Sequence, residues 1–210
     1  LQSDILGANA LGIKNILCIT GDSVKAGDQQ DAKAVHELES VRLLQQIQDF
    51  NRGIDPTMGE LADNKTFIFP GAAADPSCRN KRSLQNRIQK KKEAGARFIQ
   101  TQMVMDKENL IEFCETISNP LEIPVIAGVF LLKSYKNALF INKYVPGAHI
   151  PENILNRLKD AKHPLQEGVQ IAAEQARDFI KVASGIHLMA VKAEHLIPEI
   201  IQKADINLEY

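Results

Sequence analysis

Polar side chains follow five separate apolar runs in this sequence, and they are the groups best placed to bind a ligand or assist a reaction. They are Asp22, Asp75, Gln102, Lys133 and Lys192. If each apolar run is a buried strand, each of these side chains lies just past the carboxyl end of its strand. Parallel α/β folds place their active sites at that edge. The spacing therefore predicts a site built from carboxylates, an amide and ammonium groups.

The first of these segments reads "ILCITGDSVKAG", in which Thr20, Gly21 and Asp22 end an apolar run. Glycine lets a backbone approach a ligand closely, and the carboxylate of Asp22 can then meet the same ligand. An ordinary turn, with Asp22 capping a neighbouring group, explains the same residues. The residues alone leave both interpretations open.

The second segment, "GAAADP", covers residues 71–76 and is predicted to be a loop of small side chains after a strand. A tight turn accounts for this composition. A site where a planar cofactor lies against the backbone accounts for it equally well, with Gly71 and Asp75 as the contacts.

A basic segment follows, within a predicted helix over residues 83–94. Arg87 and Lys91 are four residues apart, so they share one face of that helix, and Lys90 lies beside them. Arginine offers a bidentate fork and lysine a point charge, and together they suit a pyrophosphate. A solvated helix face is the alternative.

The elements that position these residues alternate strictly along the chain. Predicted strands cover residues 15–20, 66–70, 96–102, 123–130 and 185–191, and the second of them runs into the small-residue loop. Predicted helices cover residues 1–11, 38–50, 83–94, 106–117, 134–143 and 193–204, with two more between 151 and 183. Alternating strands and helices predict a parallel sheet covered by helices. A dinucleotide-binding fold is disfavoured because no GxGxxG follows the first strand. A (β/α)₈ barrel needs three more units.

Composition excludes several classes of function. The chain has 210 residues, 44% of them hydrophobic, and a net charge of −1, which predicts one domain with a sizeable core. The balanced charge predicts neither a nucleic-acid nor a membrane-surface partner. No apolar run reaches the roughly 18 residues of a membrane span. Three scattered cysteines indicate a reducing cytoplasm, and the histidines lack metal-binding spacing, so no metal is expected.

Six segments in this order resemble the methylenetetrahydrofolate reductase family. They are "NILCITGD", "VHELESVRLL", "FPGAAADP", "KKEAGARFIQTQMVMD", "PVIAGVFLLKSYKNALFINKYVPGAHIPE" and "GIHLMAVKAE". The version with "ELESV" and "GAAADP" is most similar to short bacterial enzymes of anaerobes. The resemblance implies a (β/α)₈ TIM barrel, of which residues 1–210 supply the last five βα units, strands four to eight.

The resemblance also implies roles for individual residues and a cofactor. FAD is the implied cofactor, contacted by Thr20, Gly21, Asp22, Gly71, Asp75, Arg87, Lys90 and Lys91. Asp22 is the implied catalytic residue beside the flavin, and Gln102, Lys133 and Lys192 are the implied substrate-binding residues. Leu84 stands where relatives commonly have an aspartate that holds the cofactor's ribose.

The implied activity is FAD-dependent reduction of 5,10-methylenetetrahydrofolate to 5-methyltetrahydrofolate in the cytoplasm, with NAD(P)H or another electron donor. The alternatives are a non-catalytic flavin- or folate-binding subunit of a larger complex and a phosphate-binding barrel of unrelated chemistry. A homo-oligomer and a complex with a partner subunit both stay open. In the family a glutamate on the first strand protonates the folate. We therefore expect the 210-residue chain to belong to a longer polypeptide and to be inactive alone.

Overall fold

The computed structural model describes residues 1–21, 31, 33, 38–55, 59–61, 65–145 and 147–207. Within those ranges the strands are β1 (Asn15–Cys18), β2 (Phe69–Ala74), β3 (Phe98–Met103), β4 (Val125–Phe130) and β5 (Gly185–Met189). The helices are α1 (Gln2–Ala10), α2 (Ser40–Arg52), α3 (Lys81–Glu93), α4 (Lys107–Phe113), α5 (Tyr135–Tyr144), α6 (Glu152–Asp160), α7 (Pro164–Phe179) and α8 (Ile197–Ala204). A π-helical segment, Cys114–Ser118, continues α4, and a 3₁₀ turn, Glu194–Leu196, precedes α8. The predicted alternation is confirmed, including two helices between residues 151 and 183.

The strands form one five-stranded sheet in the order β1-β2-β3-β4-β5, with β1 and β5 at its edges. Asn15 of β1 is paired with Phe69 of β2 in parallel, and Ile126 of β4 is paired with Gly185 of β5, also in parallel. Sequential strands lie side by side because each helical connection returns the chain to the same end of the sheet. This confirms the predicted α/β class and is consistent with part of a (β/α)₈ barrel.

One local prediction is wrong, because residues 71–74 are not a loop. They form the second half of β2, which runs to Ala74. A Cβ atom on Gly71 would lie 2.2 Å from Cζ of Phe98, so the ring fills the space that a side chain would occupy. Ala72 is fully buried. The small residues are therefore required by packing within a strand.

Two compact units are distinguished within the chain, and the first contains residues 1–73 and 85–99. Its core includes Leu44, Ile47 and Phe50 of α2, which have no exposed surface. Their spacing of three residues places them on one face of the helix, as the sequence predicted. The helix ends at Gly53, whose φ of 82° is the left-handed conformation that glycine adopts at low cost.

The second unit contains residues 74–84 and 100–210. One of its apolar clusters is formed by buried residues of β3, α5, α6, α7 and their loops: Met103, Met105, Leu132, Ala138, Ile141, Ile150, Ile154, Leu155, Leu158 and Ile171. Arg157 of α6 donates to Glu167 at 2.7 Å and to Glu174 at 2.6 Å, so an ion-pair network joins α6 to α7. No helix in the described stretches is both long enough and apolar enough to cross a bilayer.

Candidate functional site

The segment after β1 shows one structural role directly. The hydroxyl oxygen of Thr20 accepts a hydrogen bond from the backbone N–H of Ser40, at 3.2 Å, and Ser40 is the first residue of α2. Thr20 therefore satisfies one of the free N–H groups at the start of that helix. Thr20 and Gly21 are both exposed. Asp22, the predicted catalytic carboxylate, lies outside the described residues.

The two predicted cofactor contacts on β2 and after it have different surroundings. Gly71 is packed against Phe98, as described above. Asp75 follows β2 and is partly exposed, and its Oδ1 accepts the N–H of Ser77 at 2.9 Å, which makes an Asx turn. A Cβ atom on Gly147 would lie 3.0 Å from Oδ2 of Asp75. The Asp75 carboxylate is thus held in place by its own turn.

One of the basic residues of α3, Lys91, is hydrogen-bonded to the end of β2. Nζ of Lys91 donates to the carbonyl oxygen of Ala73 at 2.6 Å. Burial lowers the pKa of the Lys91 ammonium, and the positive charge of Arg87 lowers it further. Arg87 and Lys90 are exposed. The predicted pairing of Arg87 with Lys91 on one helix face is therefore seen in the electrostatics.

These charges fit the pyrophosphate of an FAD. The lowered pKa of Lys91 means that its surroundings disfavour a positive charge, so an anion nearby would be favourable there. An ammonium has three N–H donors, and the bond to Ala73 uses one of them. Leu84 is 2% exposed and belongs to the core, so it offers nothing to a ribose.

Gln102 presents the amide nitrogen of its side chain as a donor. Its Oε1 accepts the backbone N–H of Met103 at 2.9 Å, which fixes the orientation of the amide. The hydroxyl of the preceding Thr101 donates to the carbonyl of Gln102 at 2.7 Å and accepts the N–H of Gly128 at 2.9 Å. Thr101 therefore fastens β3 to β4 at this position, and sequence reasoning had not singled it out.

Lys133 and the loop after β5 are in direct contact. Nζ of Lys133 donates to the carbonyl oxygen of Val191 at 3.0 Å. The next residue, Lys192, has φ = 58°, and its backbone N–H donates to Oε1 of Glu194 at 2.9 Å. The structure thus brings the ammonium of Lys133 into contact with the loop that contains Lys192, so two predicted substrate-binding residues lie close together.

Sequence reasoning missed Glu194. The pKa of this carboxyl is lowered by hydrogen bonds from its own backbone N–H and from that of Lys192, and to a smaller extent by the positive charges of His195 and Lys133. A signal was present in the sequence, because an acidic residue two positions after Lys192 opens the 3₁₀ turn before α8. Acidic side chains at that position bind the free N–H groups of a helix start.

The fold and the positions of the polar residues define a class of protein. A parallel sheet with carboxylate, amide and ammonium groups at or after the carboxyl ends of its strands is typical of α/β ligand-binding proteins and enzymes. The sequence model of the family described as "Methylenetetrahydrofolate reductase" matches residues 1–205. The chain belongs to the methylenetetrahydrofolate reductase family, as the sequence resemblance implied.

Three curated relatives agree with that assignment. Methylenetetrahydrofolate reductases 1 and 2 of Schizosaccharomyces pombe are 26% and 30% identical over 93% and 83% of this chain. A probable methylenetetrahydrofolate reductase (NADPH) of Caenorhabditis elegans is 23% identical over 93% of it. The chain spans 32%, 27% and 28% of these three proteins respectively.

The solved structure is similar in fold. It is an uncharacterized protein from Clostridium thermocellum that binds two copies of 5-methyl-5,6,7,8-tetrahydrofolic acid, and its TM-score to this chain is 0.56 at 17% identity. The match covers 90% of this chain and 70% of the clostridial one. At this identity the likeness concerns the fold.

Proposed function

We propose that this chain takes part in the FAD-dependent reduction of 5,10-methylenetetrahydrofolate to 5-methyltetrahydrofolate. The observation that carries the proposal is the family match over residues 1–205, which includes all five strands and the polar segments that follow them. Folate as the ligand class is supported by the clostridial structure, whose name states that it binds 5-methyltetrahydrofolic acid. NAD(P)H or another donor supplies the electrons, and the reaction belongs to the cytoplasm.

Residues of the first unit are proposed to hold the FAD. Arg87, Lys90 and Lys91 bind the pyrophosphate, because a bidentate guanidinium and two ammonium groups suit its charges. The segment from Thr20 to Asp22, together with Gly71, contacts the rest of the cofactor. When bound, the FAD supplies the hydride chemistry. The contribution of the chain is to bind and orient it, with Asp22 as the proposed catalytic carboxylate.

Residues of the second unit are proposed to hold the folate. The side-chain amide of Gln102 donates a hydrogen bond to an acceptor of the pterin ring, because its oxygen is already bound by Met103. The exposed ammonium of Lys192 attracts the carboxylates of the glutamate tail. Lys133 acts beside it.

The five strands β1 to β5 are further proposed to correspond to the last five strands of a catalytic barrel of the short bacterial type.

The test is a single-turnover experiment on the polypeptide as encoded. The bound flavin is identified chromatographically, reduced without oxygen, and mixed with methylenetetrahydrofolate in a stopped-flow instrument. We expect flavin oxidation and stoichiometric 5-methyltetrahydrofolate. Asp22→Asn removes one charge and is expected to slow this step by roughly 10- to 1,000-fold. An unchanged folate step in that variant contradicts the role of Asp22.

A second candidate is a non-catalytic flavin- or folate-binding subunit of a larger complex, and the clostridial neighbour supports folate as its ligand because its name states that it binds 5-methyltetrahydrofolic acid. The same experiment separates the two candidates. A non-catalytic subunit binds 5-methyltetrahydrofolate but leaves the reduced flavin unoxidised when methylenetetrahydrofolate is added.

A further inference from the structure

The loop after β5 contains a turn with an unusual residue at its third position. The N–H of Ala193 donates to the carbonyl of Ala190 at 2.8 Å, so Val191 and Lys192 are the two central residues of the turn. Lys192 has a positive φ of 58°, and at this position of a turn a positive φ is usually adopted by glycine or asparagine. A lysine in this conformation persists only where its surroundings hold it there, and such residues cluster at functional sites.

The peptide group between Val191 and Lys192 is held at both ends by charged side chains. Its carbonyl oxygen accepts from the ammonium of Lys133 at 3.0 Å. Its N–H donates to the carboxylate of Glu194 at 2.9 Å. Rotating this peptide by half a turn would break both hydrogen bonds and would point the oxygen towards the carboxylate. The two charges therefore favour one orientation of the peptide, the one observed.

We propose that Lys133 and Glu194 are positioning residues that fix the Val191–Lys192 peptide, so that Lys192 stays left-handed and its ammonium is presented to the anionic tail of a folate. This inference rests on the proposed function, which assigns the tail to Lys192. It changes the role expected for Lys133, whose ammonium acts on the folate through Lys192. It also gives Glu194 a part in tail specificity.

The electrostatics of the loop agree with this arrangement. The pKa of Glu194 is lowered by hydrogen bonds from its own backbone N–H and from that of Lys192, and less by the positive charges of His195 and Lys133. Lys133 is partly buried, whereas Lys192 and Glu194 are exposed. The partly buried Lys133 is therefore suited to hold the turn in place, and the exposed Lys192 is suited to contact a ligand.

The experiment measures binding of 5-methyltetrahydrofolate with one and with five glutamates to the polypeptide as encoded, by titration calorimetry. Lys192→Met is expected to weaken the pentaglutamate about tenfold, as for one charge-assisted hydrogen bond, and the monoglutamate less. Lys133→Met and Glu194→Gln should each weaken the pentaglutamate by about 3- to 10-fold. In the Lys192→Met background they should have no further effect, because they act through Lys192. Lys133→Arg keeps the cation and should restore binding.

Matched controls are Lys136→Met, an exposed lysine three residues after Lys133, and Glu199→Gln, a partly exposed glutamate of α8 whose ion-pair partner is Lys203. Neither should change tail preference. The proposal is overturned if Lys133→Met and Glu194→Gln leave pentaglutamate binding unchanged, or weaken it equally with and without Lys192. A Lys192→Met variant with normal binding also overturns it, together with the tail contact. Flavin content and turnover report on the proposed reductase function separately.

Discussion

The packing of Phe98 against Gly71 leads to a prediction that separates a structural glycine from a cofactor-binding one. In Gly71→Ala the new methyl group would lie 2.2 Å from Cζ, 2.4 Å from Cε2 and 2.6 Å from Cε1 of Phe98. Carbon atoms in contact are about 3.5–4.0 Å apart, so the ring must move by roughly 1.3–1.8 Å. That movement disturbs its stacking on Phe69, where the ring centroids are 5.8 Å apart with an interplanar angle of 9°.

We expect Gly71→Ala to lower the free energy of unfolding by about 1–3 kcal/mol, the usual cost of overpacking a core. The measurement is urea unfolding of the flavin-free protein, followed by circular dichroism. Phe98→Leu should recover part of the loss in the Gly71→Ala background, because the shorter side chain vacates the space. Gly7→Ala is the control, since a Cβ atom there has nothing within 4 Å.

The reasoning is refuted if Gly71→Ala unfolds at the wild-type urea concentration in the absence of flavin. In that case the ring does not occupy the space beside Gly71. A variant that keeps wild-type stability but loses FAD affinity shows that the glycine serves cofactor approach alone.

Three further predictions concern charge and packing. Arg157→Met should cost about 0.5–1 kcal/mol in urea unfolding, because its ion pairs are partly exposed. Arg157 lowers the pKa of Glu174 from its ordinary 4.5, so this stabilisation is present above that pH and should disappear as the pH falls below it. Lys91→Met should weaken FAD about tenfold and FMN less than twofold in equilibrium dialysis, since FMN lacks the pyrophosphate; equal losses contradict the assignment. Gly128→Ala should destabilise by at least about 1–3 kcal/mol, because its Cβ would lie 2.8 Å from a backbone oxygen of β3; a neutral result contradicts the observed strand spacing.

The alternation of strands and helices was predictable because burial alone imposes it. Leu44, Ile47 and Phe50 recur at helical spacing and are all buried, so the pattern identified α2 without tertiary information. The same reasoning failed at residues 71–74. Glycine and alanine have weak strand propensity. The packing of Phe98 beside Gly71 is a tertiary contact, and the local sequence pattern does not report it.

The sequence was sufficient to predict where in the fold the residues of the candidate site lie, but it was not sufficient to predict which hydrogen bonds they make. Lys133 and Lys192 follow consecutive strands, so their presence at one sheet edge followed from the alternation. Their connection through the Val191 carbonyl depends on a turn with a left-handed lysine, a geometry that sequence spacing does not specify. The bond from Lys91 to Ala73 spans 18 residues and likewise depends on tertiary structure.

The proposed reductase function is tested most directly by mixing the anaerobically reduced polypeptide, as encoded, with methylenetetrahydrofolate and analysing both products. We expect FAD to be released on denaturation and one 5-methyltetrahydrofolate to form for each flavin reoxidised. A protein that binds no flavin, or whose reduced flavin is not reoxidised by a folate that it binds, is not the proposed reductase.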